Sequence, residues 1–494
     1  RGGLMPLILP GNVASATAAV GYNIANSCRF NSGDSPTLHR TPDASDVDKW
    51  TFSIWFKKST VGTSAVQDFL SCIDGSGNNT VMNYVASPSN DTLNWTEYQG
   101  SYLGQYVANA KHRDPSAWYH AIFTWDSDNA TAGNRMRIYI NGAELTSFST
   151  ETNVSQDQDS LLNSNLRVDI GSAGGASSFF HGYFAEVIFI DGSALTPTSF
   201  GEFDSDSPTI WKPKDPSGLT FGDNGFWLDF EDSSALGNDV SGNNNDLTAV
   251  NLAAVDQATD TPTNNFCTMN PLVNTTDAAA VYSEGNTVVV TDGSSGDWGF
   301  TGTIAMTTGK WYYETRIYED KEFLIGIHSD PAELARDSSE SKESKWCYAY
   351  RGDGRMYEYN DAGSLTTNTS WGSTFTTGDI IGCYLDLDNN LIYWAKNDTL
   401  QNSGTGIAVT APALTQHGAY WWCQTDANSG ESWTITPAFG GLAAYGATAM
   451  SSVVADKNGY GSFEYDPSRG GASDFNSGAK DFYSLCTKNL AEFG

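Results

Sequence analysis

Residues 376–398, TTGDIIGCYLDLDNNLIYWAKND, alternate apolar and polar residues on either side of an acidic, amide-rich centre. Ile381, Cys383, Leu385 and Leu387 fall at every second position, the period at which a strand returns to the same face. Asp388 to Asn390 supply turn residues, so the stretch reads as a β-hairpin with one face turned inward. Two further stretches follow the same rule. In FSIWFKK, Phe52, Ile54 and Phe56 share a face; in RMRIYINGAEL, Met136, Ile138 and Ile140 alternate inward before Asn141-Gly142, which supplies the positive φ angles of a type I′ turn. Strands with one apolar face must bury it against another layer. The expectation is therefore an all-β chain of two tandem antiparallel β-sandwiches.

Composition supports this reading. The 494 residues hold 49 Gly, with 13% aromatic and only 17% charged residues, a balance that suits short strands and tight turns. No long amphipathic helix is apparent. Asp and Glu outnumber Lys and Arg by 58 to 26, and the net charge of −32 argues against nucleic acid or an anionic membrane as partner, since phosphate contacts need clustered cations. The seven cysteines (28, 72, 267, 347, 383, 423 and 486) show no CxxC spacing and no pairing with His of the kind zinc requires. They read as small buried hydrophobes of a protein assembled in a reducing cytoplasm. The opening RGGLMPLILPGN is broken by Pro6 and Pro10 and falls short of a signal-peptide core or a membrane span, so no membrane insertion is expected.

The segments SCRFNSGDSPTLHRT, WTFSIWFKKS, WYHAIFTWD, RIYINGAEL, VDIGS and FHGYFAEVIFIDGSALTPTSF resemble, in order, the strands of laminin-G-like, concanavalin A-like jelly rolls. That resemblance implies a binding module over 21–232, often for glycans or proteins and sometimes with calcium at the rim. The segments GKWYYE, LIGIHS, WCYAYRGDGRMYEY, the opening stretch and WTITPAFG resemble the SPRY family in the same way, which implies a β-sandwich interaction module over 281–445 without catalytic activity of its own. One departure stands at its end, where TPAFG replaces the usual Asn-Phe-Gly.

Around these modules, residues 1–20 read as an N-terminal arm, 233–280 as a linker and 446–494 as a trailing linker, all polar or broken by Pro and Gly. A short element, Cys-Thr-x-Asn, occurs at 267–270 and again at 486–489, and reads as the mark that ends each trailing linker, leaving room for a further module. The wording DTPTNNFCTMNPL and FYSLCTKNLAEFG is similar to segments in structural and appendage proteins of tailed phages, especially marine ones. This implies an extracellular, virion-surface protein whose partners are other virion proteins, further copies of the chain and host cell-surface glycans.

Fifteen Trp and 23 Tyr exceed what two cores need, and an exposed ring stacks on a pyranose while Asp and Asn take its hydroxyls. Trp95 and Tyr98 in NDTLNWTEYQG, and Trp421 and Trp422 in YWWCQTDANSG, are the glycan-binding candidates. The same rings equally suit a sandwich core. In DSDNATAGN, Asp126, Asp128 and Asn129 offer hard oxygens for calcium, although the same residues make an ordinary turn. No other cofactor is expected. The tripeptide Arg351-Gly352-Asp353 lies where a hairpin turn is expected, and the turn accounts for it. Catalysis finds no support, because a polysaccharide hydrolase needs paired carboxylates. Asp386 and Asp388 sit in a hairpin and Glu186 reads as a structural acid. The remaining alternative to an adhesin is a purely structural subunit that contacts its own kind.

Overall fold

A computed structural model describes residues 21–62, 65–85, 91–273, 280–291, 299–319, 323–331, 346–425, 432–469, 475 and 480–494. The chain divides into two compact units between Thr263 and Asn264. Each is a pair of sheets, as the alternation requires.

In the first unit, one sheet centres on Lys49–Lys58, flanked by Trp118–Asp126 and Gly182–Asp191. The other runs in the order Phe148–Thr152, Tyr102–Lys111, Thr92–Tyr98, Asn79–Tyr84, Gln67–Ile73, Val168–Ile170, Thr37–Arg40 and Thr248–Val250. Phe52, Ile54, Phe56, Met136 and Ile138 all face the core between these sheets, and Ile140 packs at its margin. Asn141 and Gly142 both take positive φ, +48° and +78°, as the type I′ turn demands. Gly142 is required twice over, since a Cβ there would meet the Trp211 ring at 2.4 Å. At the centre, the Trp50 and Trp125 rings stack at 5.9 Å, and Trp95 reaches across from the opposite sheet to within 5.4 Å of Trp50.

The second unit packs a nine-stranded sheet on a six-stranded one. In the first of these, Lys310–Ile317 pairs with Ile380–Asp386, and Ile380–Asp386 with Leu391–Lys396. Ile381, Cys383, Leu385 and Leu387 face the core with Trp311, Tyr313 and Trp422. Among the described cysteines, all seven are buried free thiols.

The expected linkers are parts of the units. Residues 233–263 close the first sandwich: Leu236 and Leu247 enter its core, and Thr248–Val250 adds an edge strand to Thr37–Arg40. Asp260 pairs with Lys57 at 2.8 Å, both side chains 1% exposed, and Asp256 holds the buried Arg29. The described residues of the 446–494 segment likewise cover the outer face of the nine-stranded sheet. Phe463, Phe475 and Phe482 pack on Tyr312, Tyr384 and Tyr393, outward-facing residues that period two alone assigns to solvent. Tyr483–Ser484 pairs in parallel with Lys310–Ile317, Lys480 bonds the fully buried Asp386, and the helix Thr487–Phe493 brings Leu490 into the core beside Leu485. The 1–20 arm lies outside the described residues.

The two Cys-Thr-x-Asn copies meet. Cys267 N–H donates to Leu485 O at 3.0 Å, Thr487 N–H to Asn265 O at 2.9 Å, and Asn265 N–H to Thr487 Oγ1 at 3.0 Å. Asn489, fully buried, donates to Asp456 Oδ2 at 2.8 Å and Ser484 O at 2.9 Å, as a buried amide must. The repeat thus marks the two sides of one clasp, an extended segment at 264–270 and the start of the helix Thr487–Phe493, that joins the beginning of the second unit to its end.

Glu186 occupies an irregularity in the 182–191 strand, where the register shifts between Ala185 and Ile188 and its own φ is +46°. Its carboxyl is 4% exposed and accepts from Tyr22 Oη at 3.0 Å and Trp227 Nε1 at 2.7 Å. Burial nevertheless pushes it up to about 8. The folded chain therefore keeps a proton that the unfolded chain releases above 4.5, and the stability this contributes is complete below 4.5 and lost as pH rises to about 8. Glu186→Gln should flatten the fall of Tm between pH 5 and 8; thermal melts of equal slope in both chains would count against this account. For the clasp, Leu485→Ala should cost the second unit about 2–5 kcal/mol. A true linker residue would cost less than about 0.5 kcal/mol, and chemical denaturation separates the two cases.

Candidate functional site

Strands Asn79–Tyr84, Thr92–Tyr98 and Tyr102–Lys111 pair so that Met82, Trp95 and Tyr106 stand in one row and face the core. Their neighbours in sequence must point the other way. These outward residues line an open groove of ≈ 520 Å³. Asn83, Asn94 and Val107 form one row across it, and Val81, Thr96 and Gln105 the next. Asn79, Tyr98 and Tyr102 close one end.

A chain of hydrogen bonds crosses the floor. Asn94 Nδ2 donates to Asn83 Oδ1 at 3.0 Å and to Thr96 Oγ1 at 3.2 Å, while Asn83 Nδ2 donates to Asp68 Oδ1 at 3.0 Å. Asp68 is 1% exposed, and burial pushes its carboxyl up to about 7 although the Asn83 amide draws it back. At the aromatic end the Tyr98 and Tyr102 rings meet edge to face at 5.2 Å, and Tyr102 is 60% exposed. Amides that take hydroxyls and a ring that offers its face are thus brought to one surface.

Of the four aromatic candidates, Tyr98 lies in this groove. Trp95, Trp421 and Trp422 do not, since they are 0%, 1% and 0% exposed and no ligand can reach their faces. Trp95 is the central core ring; Trp422 packs on Tyr313 at 4.5 Å, and Trp421 is buried in a cluster with Ala305 and Ala419. Tyr102, Asn83, Asn94 and Gln105 were missed, although the alternation around Trp95 places Asn94, Thr96 and Tyr98 on the face opposite to it.

The proposed calcium loop uses its oxygens internally. Lys49 Nζ pairs with Asp128 and lies 3.9 Å from Asp126, placing an ammonium where a cation would bind. Asn129 turns its Nδ2 toward Asp126 Oδ2 at 3.1 Å, and its Oδ1 accepts from Thr131 N at 3.0 Å. Among the described residues no group of three or more His, Cys, Asp or Glu is placed to hold a metal ion. The Arg351-Gly352-Asp353 turn pairs its own ends, with Asp353 Oδ2 at 3.7 Å from both Arg351 and Arg355.

The carboxylates weighed for hydrolysis are also occupied. Asp386 is held by Lys480 and Asn389, Asp388 by Lys310 and Gly309 N–H, and Glu186 by Tyr22 and Trp227. Among the described residues two Ser–His contacts exist: Ser32 Oγ lies 2.9 Å from His181 Nδ1, which also accepts from the Ser32 N–H at 3.2 Å, and Ser53 Oγ lies 2.7 Å from His120 Nε2. Trp211 Nε1–H, which can only donate, bonds His120 Nδ1 at 2.9 Å. Nδ1 must then accept and Nε2 carries the proton, so His120 donates to Ser53 and cannot deprotonate it.

Over residues 31–199 the chain matches the family model described as the concanavalin A-like lectin/glucanases superfamily, and over residues 310–411 the model of the SPRY domain. Ran-binding protein 9 of Danio rerio is 33% identical over 113 residues, 22% of this chain and 17% of that protein. The ATP-dependent RNA helicase DDX1 of Xenopus laevis is 25% identical over 126 residues, 25% of this chain and 15% of that protein. The chain therefore spans less than a fifth of the length of these curated relatives. Among solved structures, the SPRY domain of human HERC1 aligns with 16% identity and a TM-score of 0.23, covering 32% of this chain and 91% of that one. A SAP-like pentraxin from Limulus polyphemus aligns with 19% identity and a TM-score of 0.28, covering 36% and 80%. Residues 31–199 are a concanavalin A-like domain, residues 310–411 an SPRY domain, and each lies within one of the two units.

Proposed function

We propose that this chain is a non-enzymatic binding protein of a virion surface, and that its first sandwich holds a host-surface glycan in the groove beneath Tyr98 and Tyr102. One observation carries the reading: a buried ladder of amides and an exposed tyrosine line a single open groove. Asn side chains ordered by their own hydrogen bonds lose little freedom on meeting hydroxyls, and a ring edge-packed by its neighbour is already in place for stacking. The second sandwich serves in this proposal for contact with neighbouring virion proteins. Single-groove affinity for a sugar is modest, and repetition over a particle converts it to firm attachment. The virion setting is supported by the wording of residues 260–272 and 482–494 and by the buried free thiols.

A glycan array followed by calorimetry tests this. Tyr102→Ala, at a largely exposed position, should leave Tm nearly unchanged while weakening binding roughly tenfold, a loss of about 1.4 kcal/mol. Equal affinity in the variant, or no carbohydrate bound by the parent chain, would remove the groove from consideration.

A further inference from the structure

The groove's chemistry restricts its ligand further, and this step rests on the glycan reading above. We infer that the groove takes an uncharged, N-acetylated glycan segment, with Asn83 and Asn94 receiving the acetamido group.

The hydrogen-bond inventory supplies the first reason. Asn83 uses one amide hydrogen on Asp68 and accepts from Asn94, which leaves its second N–H as a donor. Asn94 places its amide hydrogens on Asn83 and Thr96; its Oδ1, approached by Thr96 Oγ1 at 3.3 Å, keeps a second lone pair. The two residues stand directly opposite one another on paired strands, so their Cβ atoms are about 5 Å apart. A donor and an acceptor side by side match the C=O and N–H of a secondary amide. A hydroxyl, which rotates to serve as either, needs no such arrangement.

The second reason is apolar. Val107 stands in the same row as Asn83 and Asn94, and Val81 lies between Asn79 and Asn83 along its strand, about 7 Å from each. Each valine offers a methyl-sized apolar contact next to an amide. An acetamido group carries that pairing; a ring bearing only hydroxyls leaves the valines uncovered.

The third is charge. Among the described residues that line the groove there is no Lys, Arg or His, and the ladder ends on a carboxyl, Asp68. Lys111 stands opposite Thr92, at the strand end past the lining residues. A sialylated or sulfated chain would meet no cation on the floor and would lie against a net charge of −32.

Calorimetry on the full chain with chitotetraose, cellotetraose and a sulfated glycan decides between these ligands. The expected result is that chitotetraose binds at least about tenfold more tightly than cellotetraose, and that Asn94→Leu removes this preference. Gln105→Ala, at a half-exposed site in the next row, serves if the first variant does not fold, and should weaken both neutral chains while the preference stays. Cellotetraose bound as tightly as chitotetraose overturns the N-acetyl assignment and leaves the groove a glycan site. A sulfated chain bound as tightly as a neutral one overturns the charge assignment. A parent chain that binds no carbohydrate overturns the glycan reading itself, and this inference falls with it.

Discussion

A strand cannot show two neighbouring side chains to the same layer, and this constraint governs everything proposed for the first sandwich. Trp95 spans the core to reach Trp50 and Trp125, so Asn94 and Thr96 must leave it. Because the tryptophan is needed inside, the amides are presented outside, in register with Asn83 and Gln105. The groove is thus the back of the core, and its polar order depends on the same strand pairing that packs the aromatic rings.

The second unit shows the same rule with the opposite outcome. Tyr312, Tyr384 and Tyr393 point away from the core, yet Phe463, Phe475 and Phe482 return to cover them. Covering a sheet face buries polar groups as well, and these are satisfied: Glu314 accepts from Tyr312, Tyr445 and Glu464 N–H, and Asp386 meets Lys480. The described residues of the 446–494 segment therefore belong to the domain's structure, and the Cys-Thr-x-Asn echo is a clasp because each copy is tied by a backbone hydrogen bond to the residue beside the other.

Much of the architecture was legible in the chain. The inward sets at 52–56, 136–140 and 381–387, the Asn141-Gly142 turn and the order of segments resembling two domain families follow from period two and from turn chemistry, which are local properties. The reading of 233–280 and 446–494 as linkers did not hold, since polar, Gly-rich wording reports the lack of regular structure and says nothing of what the segment packs against. Trp421 and Trp422 illustrate the other limit: adjacent residues on one strand point to opposite faces, but both faces here are covered.

What the sequence by itself determined was the strand, its two faces and the class of fold, because alternation and turn residues act between neighbours a few positions apart. Which outward face stays open was decided only in three dimensions. Asp68, Asn83, Asn94 and Tyr102 come from four strands, and their meeting depends on pairing register, while Tyr384 is sealed by a phenylalanine some ninety residues away. Lys49 beside Asp126 and Asp128 shows the same physics, since a cation site read along one loop is filled by an ammonium from a neighbouring strand.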